Sequence, residues 1–447
     1  MLKNLYFILI FLIFTTIINA TDNKLEETNY GDISGLLRFY YIFDPSYVKS
    51  GRANDYKIDG SAIGGHIRYI SPTISNLGVA TTLYYTQDTG LNDTNDIDTM
   101  MAAGRFFTKD YSAKAVLGEL SLFYKDDNHH LIVGRQKIDS PLTNSIVTYM
   151  PNMFEALYYT NTQLNSFKFT LLHIDKMAYG TRTPVEFGLI GEATRTAGAS
   201  QSALDSRGKF ISIEQQLLAN TTIDTNGVTG LALRNTSLKN TTINIWDFYA
   251  YDIINSFYLD VIYKNNSNNL DYSISGQYLN VRSVGKNLAS AWLDNSSANL
   301  IGLKLSIDYE EISAYVAYNH SGDGKILNIF GGDPAYTSSF FSRNAYRTNV
   351  DAYKIGAVIK VKDNFKIIAS YANYGKSSTI GSFVSAKPVE ALSTPKIDAQ
   401  ESALLFSYNP IKSINILIGA IYKNSEYYYN NRQINLLDLD LLITYRF

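Results

Sequence analysis

Leu437-Asp438-Leu439-Asp440-Leu441-Leu442-Ile443-Thr444-Tyr445-Arg446-Phe447 is the stretch that decides the fold. Leucine, isoleucine, tyrosine and phenylalanine take every odd position, and four of the five even positions are polar. Successive strand side chains point to opposite faces, so the segment has one apolar face and one wet face. A soluble sheet would bury the apolar face in a core, whereas a transmembrane barrel turns it toward lipid. One strand cannot choose between these, so the rest of the chain must.

Upstream, the same period-two alternation recurs and marks eighteen strands. They run from Gly31–Phe43, Ile58–Ile70 and Asn76–Gln87 through Met153–Thr162 to Ser413–Glu426 and Leu436–Phe447. Only the segment from Lys176 to Asn226 shows weak periodicity. Short polar connections such as Lys125-Asp126-Asp127-Asn128 alternate with long ones such as Gly322–Val350 and Ser377–Asp398. Turns at one end and loops at the other are the pattern of an outer-membrane barrel, and an even strand count leaves both chain ends on one side.

The polar faces exclude a dry sandwich. Asp260 and Lys264, Asp271, Ser273 and Gln277, Lys304, Ser306 and Asp308 would all be driven into a core. Burying such charges unpaired costs several kcal/mol each. Water inside the barrel removes that cost, and barrels of roughly 16–18 strands enclose an aqueous channel. The lumen is therefore expected to be wet, with Ile301, Leu303, Leu305 and Ile307 facing hydrocarbon.

Residues 1–20 read as a signal peptide: Lys3, an apolar run from Leu5 to Phe14, and a small residue at Ala20. Residues 21–447 are then expected to form a single barrel domain, since no linker or composition shift divides them. There is no cysteine, hence no disulfide framework. A net charge of −2 gives no reason to expect a nucleic-acid partner. The 35 tyrosines, against 2 tryptophans, suit a membrane–water interface or a polar lumen.

Several fragments resemble the OprD-type outer-membrane porins, including the major porins of campylobacters. Gly35-Leu36-Leu37-Arg38-Phe39-Tyr40-Tyr41 is similar to that family's first strand, and Ala62–Tyr69 with Gly78–Thr86 to its second and third. Val133-Gly134-Arg135-Gln136, Pro141 and Pro151-Asn152-Met153-Phe154-Glu155 resemble its fifth strand and third loop. Tyr318–Gly324 and Gly331–Ser338 resemble its seventh loop. The resemblance implies an all-β, transmembrane antiparallel β-barrel of 18 strands with inward-folded constriction loops. It also implies basic wall residues that guide carboxylate-bearing solutes. This chain departs there, because its inward positions mix acids with bases.

By alternation the inward bases are Arg38, Arg68, Arg234, Lys304, Lys354 and Arg446, and the inward acids Glu119, Asp260, Asp308 and Asp438. Facing rows of opposite charge would set up a transverse field. Arg135 shares the parity of Val133, but is expected to turn inward where its strand bends into the third loop. Asp139, Thr143, Asn144, Tyr149 and Glu155 are the constriction candidates of that loop, and Asp323, Asp333 and Arg343 those of the seventh. Asp323 and Asp333 are weak calcium candidates, since their spacing fits no EF-hand. Otherwise no metal or cofactor is expected, and no enzyme: His66, His173 and His320 are scattered, and Gly-x-Ser-x-Gly is absent.

The expected function is passive diffusion of small hydrophilic solutes and ions through the outer membrane of a Gram-negative cell. The alternative is a surface-exposed adhesin or interaction barrel without a general pore. Expected partners are outer-membrane lipid and lipopolysaccharide, small hydrophilic solutes, and the barrel-assembly machinery, which would read Tyr445 and Phe447. A homotrimer is left open.

Overall fold

The computed structural model describes residues 30–48, 55–92, 112–144, 148–181, 208–218, 224–288, 296–324, 326, 328–340, 347–376, 398–429 and 432–447. Residues 1–20 and Arg343 lie outside them. The first strands are β1 (Asp32–Val48), β2 (Asp55–Ile70), β3 (Leu77–Asp88), β4 (Lys114–Lys125), β5 (His129–Gln136), β6 (Met153–Asn161) and β7 (Phe167–Ala178). A two-residue strand, β8 (Ile211–Ser212), leads into a short helix, α1 (Ile213–Leu218). There follow β9 (Val228–Asn235), β10 (Thr241–Ala250), β11 (Ile254–Ser267), β12 (Leu270–Ser283), β13 (Ser297–Tyr309) and β14 (Ile312–Ser321). The wall ends with β15 (Val350–Lys362), β16 (Phe365–Tyr374), β17 (Ala399–Ile411), β18 (Ile414–Tyr429) and β19 (Arg432–Arg446).

Every long strand pairs antiparallel with its neighbours in the chain, and β7 passes over β8 to pair with β9. β19 returns to β1, so eighteen long strands close into a barrel without an edge. The expected strand count holds, while several bounds move. β1 continues to Val48 and β18 to Tyr429, because hairpin partners keep pairing beyond the apolar belt. The weakly periodic segment supplies only β8 and α1 among the described residues.

Short turns connect one end. Between β11 and β12 Asn268 and Asn269 both take positive φ (50° and 64°), the conformation a two-residue hairpin needs and asparagine tolerates. The seam forms at this turn end. Leu37 faces Tyr445 and Phe39 faces Ile443, and the Gly35 amide donates to the Phe447 carbonyl at 2.9 Å. The Phe447 ring packs over Gly35, where any Cβ would overlap it.

Outward positions form an apolar band. On β13 Ile301, Leu303, Leu305 and Ile307 are all exposed on the outer face, while Leu300 and Ala298 point inward and are buried. Aromatic pairs frame the band. Tyr263–Tyr272, Phe365–Phe406 and Tyr445–Phe447 lie toward the turns, with Phe257–Tyr278 and Tyr318–Tyr353 toward the loops.

The buried core lies inside the barrel. Ile138, Leu142, Ile213, Ile326, Ile329 and Phe330 from loops pack on inward wall residues including Phe154, Leu172, Phe248 and Leu279. A second cluster joins Tyr149 and Met150 to Tyr40, Ile42, Tyr84 and Val116. This corrects the expectation of a lumen that is wet throughout. The loop-end half is packed, because apolar loop segments cover the apolar inward residues there.

Candidate functional site

Two loops build the interior: the third, residues 137–152, and the seventh, residues 322–349. The third enters the lumen where β5 stops at Gln136. Inside, Thr143 closes a tight turn on the Ile138 carbonyl at 2.7 Å, and Ser140 and Thr143 exchange hydrogen bonds. Tyr149 is buried and its hydroxyl donates to the Ala62 carbonyl of β2 at 2.8 Å, which ties the loop to the wall three strands from β5. Burial holds the Tyr149 phenol protonated, well above its ordinary range.

The seventh loop interlocks with the third. The Gly332 amide donates to the Leu142 carbonyl at 3.1 Å, and the Asn328 amide group to the same oxygen at 2.8 Å. Asn152 donates to the Phe330 carbonyl at 2.7 Å, and Phe330 lies edge-on to Phe154. The loop then follows the wall. Thr337 bonds Asn319 of β14, Lys354 of β15 donates to the Ser338 carbonyl at 2.6 Å, and the Phe340 amide donates to Glu401 of β17 at 2.7 Å. Both loops thus fold inward, each held by the other.

The charged residues fall into groups. Arg38 of β1, Arg68 of β2 and Arg446 of β19 share the inward parity of three adjacent strands. Arg38 donates to the Thr444 hydroxyl at 2.9 Å and to the Thr148 carbonyl, which ties the third loop to the seam. Arg68 grips Glu119 through two nitrogens, at 2.7 and 3.1 Å, and Glu119 also accepts from Thr82. Such a fork fixes both side chains in one geometry.

Asp260 of β11 stands across the lumen, nine strands round the ring of eighteen from β1. It accepts from Asn244 of β10, whose partner in register is Arg234 of β9. Lys304 of β13 lies over the Tyr315 ring at 4.6 Å. Asp308 is exposed and faces Asp271 across the ladder at the turn end.

Several candidates sit elsewhere than expected. Arg135 and Glu155 are on the outer face, in register with each other and with Lys176. Glu155 accepts from Arg135 at 2.9 Å and from Lys176 at 3.1 Å. That mutual neutralisation, near the loop end of the wall, lets three charges stand outside the lumen. Tyr149 anchors the third loop from within its core. Asp139 is exposed and accepts from Asn144. Asp333 caps the Ala335 amide at 3.1 Å, and Asp323 is exposed at the start of the seventh loop. Among the described residues no three His, Asp or Glu side chains gather as metal ligands. Asp438 is fully buried on the inward face of β19.

Alternation had not singled out His66, Asp440, Glu401 and Lys423. Asp440 lies on the same even face as Asp438 and accepts from the Tyr40 hydroxyl at 2.5 Å. Its parity was the signal that could have found it.

No family sequence model and no curated protein sequence matches the chain. Solved structures do match its fold. Pseudomonas aeruginosa OpdK with vanillate superposes with a TM-score of 0.67 over 93% of this chain and 98% of its own, at 11% identity. Pseudomonas aeruginosa OccK9 (OpdG) gives 0.69 over 93% and 97% at 13% identity. Acinetobacter baumannii OccAB3 gives 0.68 over 93% and 98% at 12%.

Proposed function

We propose that this chain is an OprD-type porin, a passive diffusion channel for small hydrophilic solutes in the outer membrane of a Gram-negative cell. The observation that carries this reading is the charged inner face of the closed barrel. There an arginine wall on β19, β1 and β2 stands opposite Asp260 on β11. Charges so placed orient a dipolar solute as it passes, and no reaction is required of any residue. The outer apolar band and its two aromatic girdles fit a bilayer. Occ proteins of Pseudomonas aeruginosa and Acinetobacter baumannii share this fold, and OpdK among them is an outer membrane protein.

The finer reading concerns solutes and partners. OpdK was solved with vanillate and Pseudomonas aeruginosa OccK2 (OpdF) with glucuronate, both carboxylates. In this chain Lys304 and the arginines can meet a carboxylate, while Asp260 and Asp308 favour solutes that also carry a positive group. Kinship to the campylobacter porins rests on the sequence fragments alone. Lipid and lipopolysaccharide surround the barrel in this reading, and Tyr445 with Phe447 presents the strand read by the assembly machinery.

Reconstitution into planar bilayers tests it. The purified barrel should give discrete conductance steps, and Lys304→Glu should move the reversal potential toward cations without loss of folded protein. A folded barrel that never conducts would sink the pore and leave the adhesin reading.

A further inference from the structure

His66 lies toward the turn end of β2, between Leu36 of β1 and Tyr84 of β3 in register, and shares the inward face of Arg68. Its ring tilts against that of Tyr84 at 5.2 Å. Its Nδ1 is buried and has no hydrogen-bond partner among the described residues, so none of them fixes that nitrogen in one protonation state. Neither the strand ladder nor the interlocked loops explain why a titratable ring should stand here.

The charged and titratable groups around it come from five other sources besides β2 itself. β1 brings Arg38 and Tyr40, β3 brings Tyr84, β4 brings Glu119, β19 brings Arg446, and the third loop brings Tyr149. On β2 the neighbour is Arg68. One of the three guanidiniums has a carboxylate to balance it within this group: Glu119 is gripped by Arg68. The bonds Arg38 makes go to neutral oxygens of Thr444 and Thr148. The wall is therefore net cationic, and a charged His66 adds to it.

We infer that His66 is a selectivity-determining residue, whose protonation raises the preference of the lumen for anionic solutes. The inference rests on the pore reading above. With the imidazole neutral, Glu119 offsets Arg68 within the arginine wall. With the imidazolium present, a further cation joins the inner face beside Arg68, where low-dielectric walls concentrate its field.

The test compares the wild type with His66→Gln and His66→Lys in bilayers under a potassium chloride gradient, from pH 8 down to pH 4.5. In the wild type the chloride-to-potassium permeability ratio should rise by about two-fold as histidine charges. His66→Gln should lose that rise, and His66→Lys should show the acid value already at pH 8. Lumen carboxylates titrate in all three proteins, so the difference between them belongs to His66. Conductance with the same pH dependence in His66→Gln, or a His66→Lys channel that matches the wild type at pH 8, overturns the inference and leaves the pore. Absence of conductance in the wild type overturns both. Should His66→Gln fail to fold, the His66→Lys comparison at pH 8 decides.

Discussion

The two halves of the wall are built from the same strands and end in different interiors. On β12 the inward residues run Asp271, Ser273, Ser275, Gln277, Leu279, Val281 from turn to loop, passing from exposed to 1% exposed. On β13 they run Asp308, Ser306, Lys304, Gly302, Leu300, Ala298, with the same trend. Outward residues show no such gradient. The outer face meets one solvent along its apolar band, whereas the inner face meets water at one end and folded loop at the other. What covers a strand face thus sets its composition, and here the cover changes along a single strand.

Breaking the turn-end half should have the largest effect, since the ring closes there. Gly35→Leu puts a side chain where the Phe447 ring and the His66 carbonyl already are. Heat-modifiable, folded barrel should be largely lost, and Phe447→Ala made together with Gly35→Leu should recover part of it. A normal yield from Gly35→Leu alone would show that the seam does not depend on this contact.

Next comes the loop-end half. Phe330 is 1% exposed, packed on Phe154 and Phe248, and its truncation to alanine removes about 3–5 kcal/mol of packing. The wall carries its own ladder, so the barrel should stay folded while the seventh loop loosens. Protease should then cut that loop, and single-channel current should become larger and noisier. Wild-type protease resistance in Phe330→Ala would mean that the hydrogen bonds to Leu142 suffice.

The smallest effect belongs to a turn. Asp126 accepts from the amides of Asn128 and His129 and from the Tyr124 hydroxyl, which holds its carboxyl below the usual range. A depressed folded pKa stabilises the turn above the carboxyl's ordinary pKa, and that contribution disappears as pH falls through the lowered value. Amide exchange at Asn128 and His129 should therefore quicken in acid, and Asp126→Asn should remove that pH dependence. Equal acid sensitivity in the variant would assign it to another group.

The site was legible in part. Parity put Arg38, Arg68, Lys304 and Asp260 on the inward face because a pleated strand leaves no alternative once the apolar face is known. Arg135 and Glu155 went astray when proximity to the third loop was allowed to outweigh their outward parity. Their partner Lys176 lies beyond an irregularity in the β6–β7 ladder, so the charge balance that permits three ions outside cannot be seen along the chain. Inside the lumen the Lys354 amine holds the Ser338 carbonyl of the seventh loop, a partner that parity does not name.

The sequence by itself determined the strands, their number, their two faces and the closing partner of Leu437–Phe447, because period two is a local property of the backbone. Only the tertiary structure decided which part of the inner face stays wet. That choice depends on the third loop's bond to Ala62, the seventh loop's bonds to Leu142 and Glu401, and the packing of Phe330. Such contacts join residues far apart in the chain, and their geometry leaves no periodic trace in the order of amino acids.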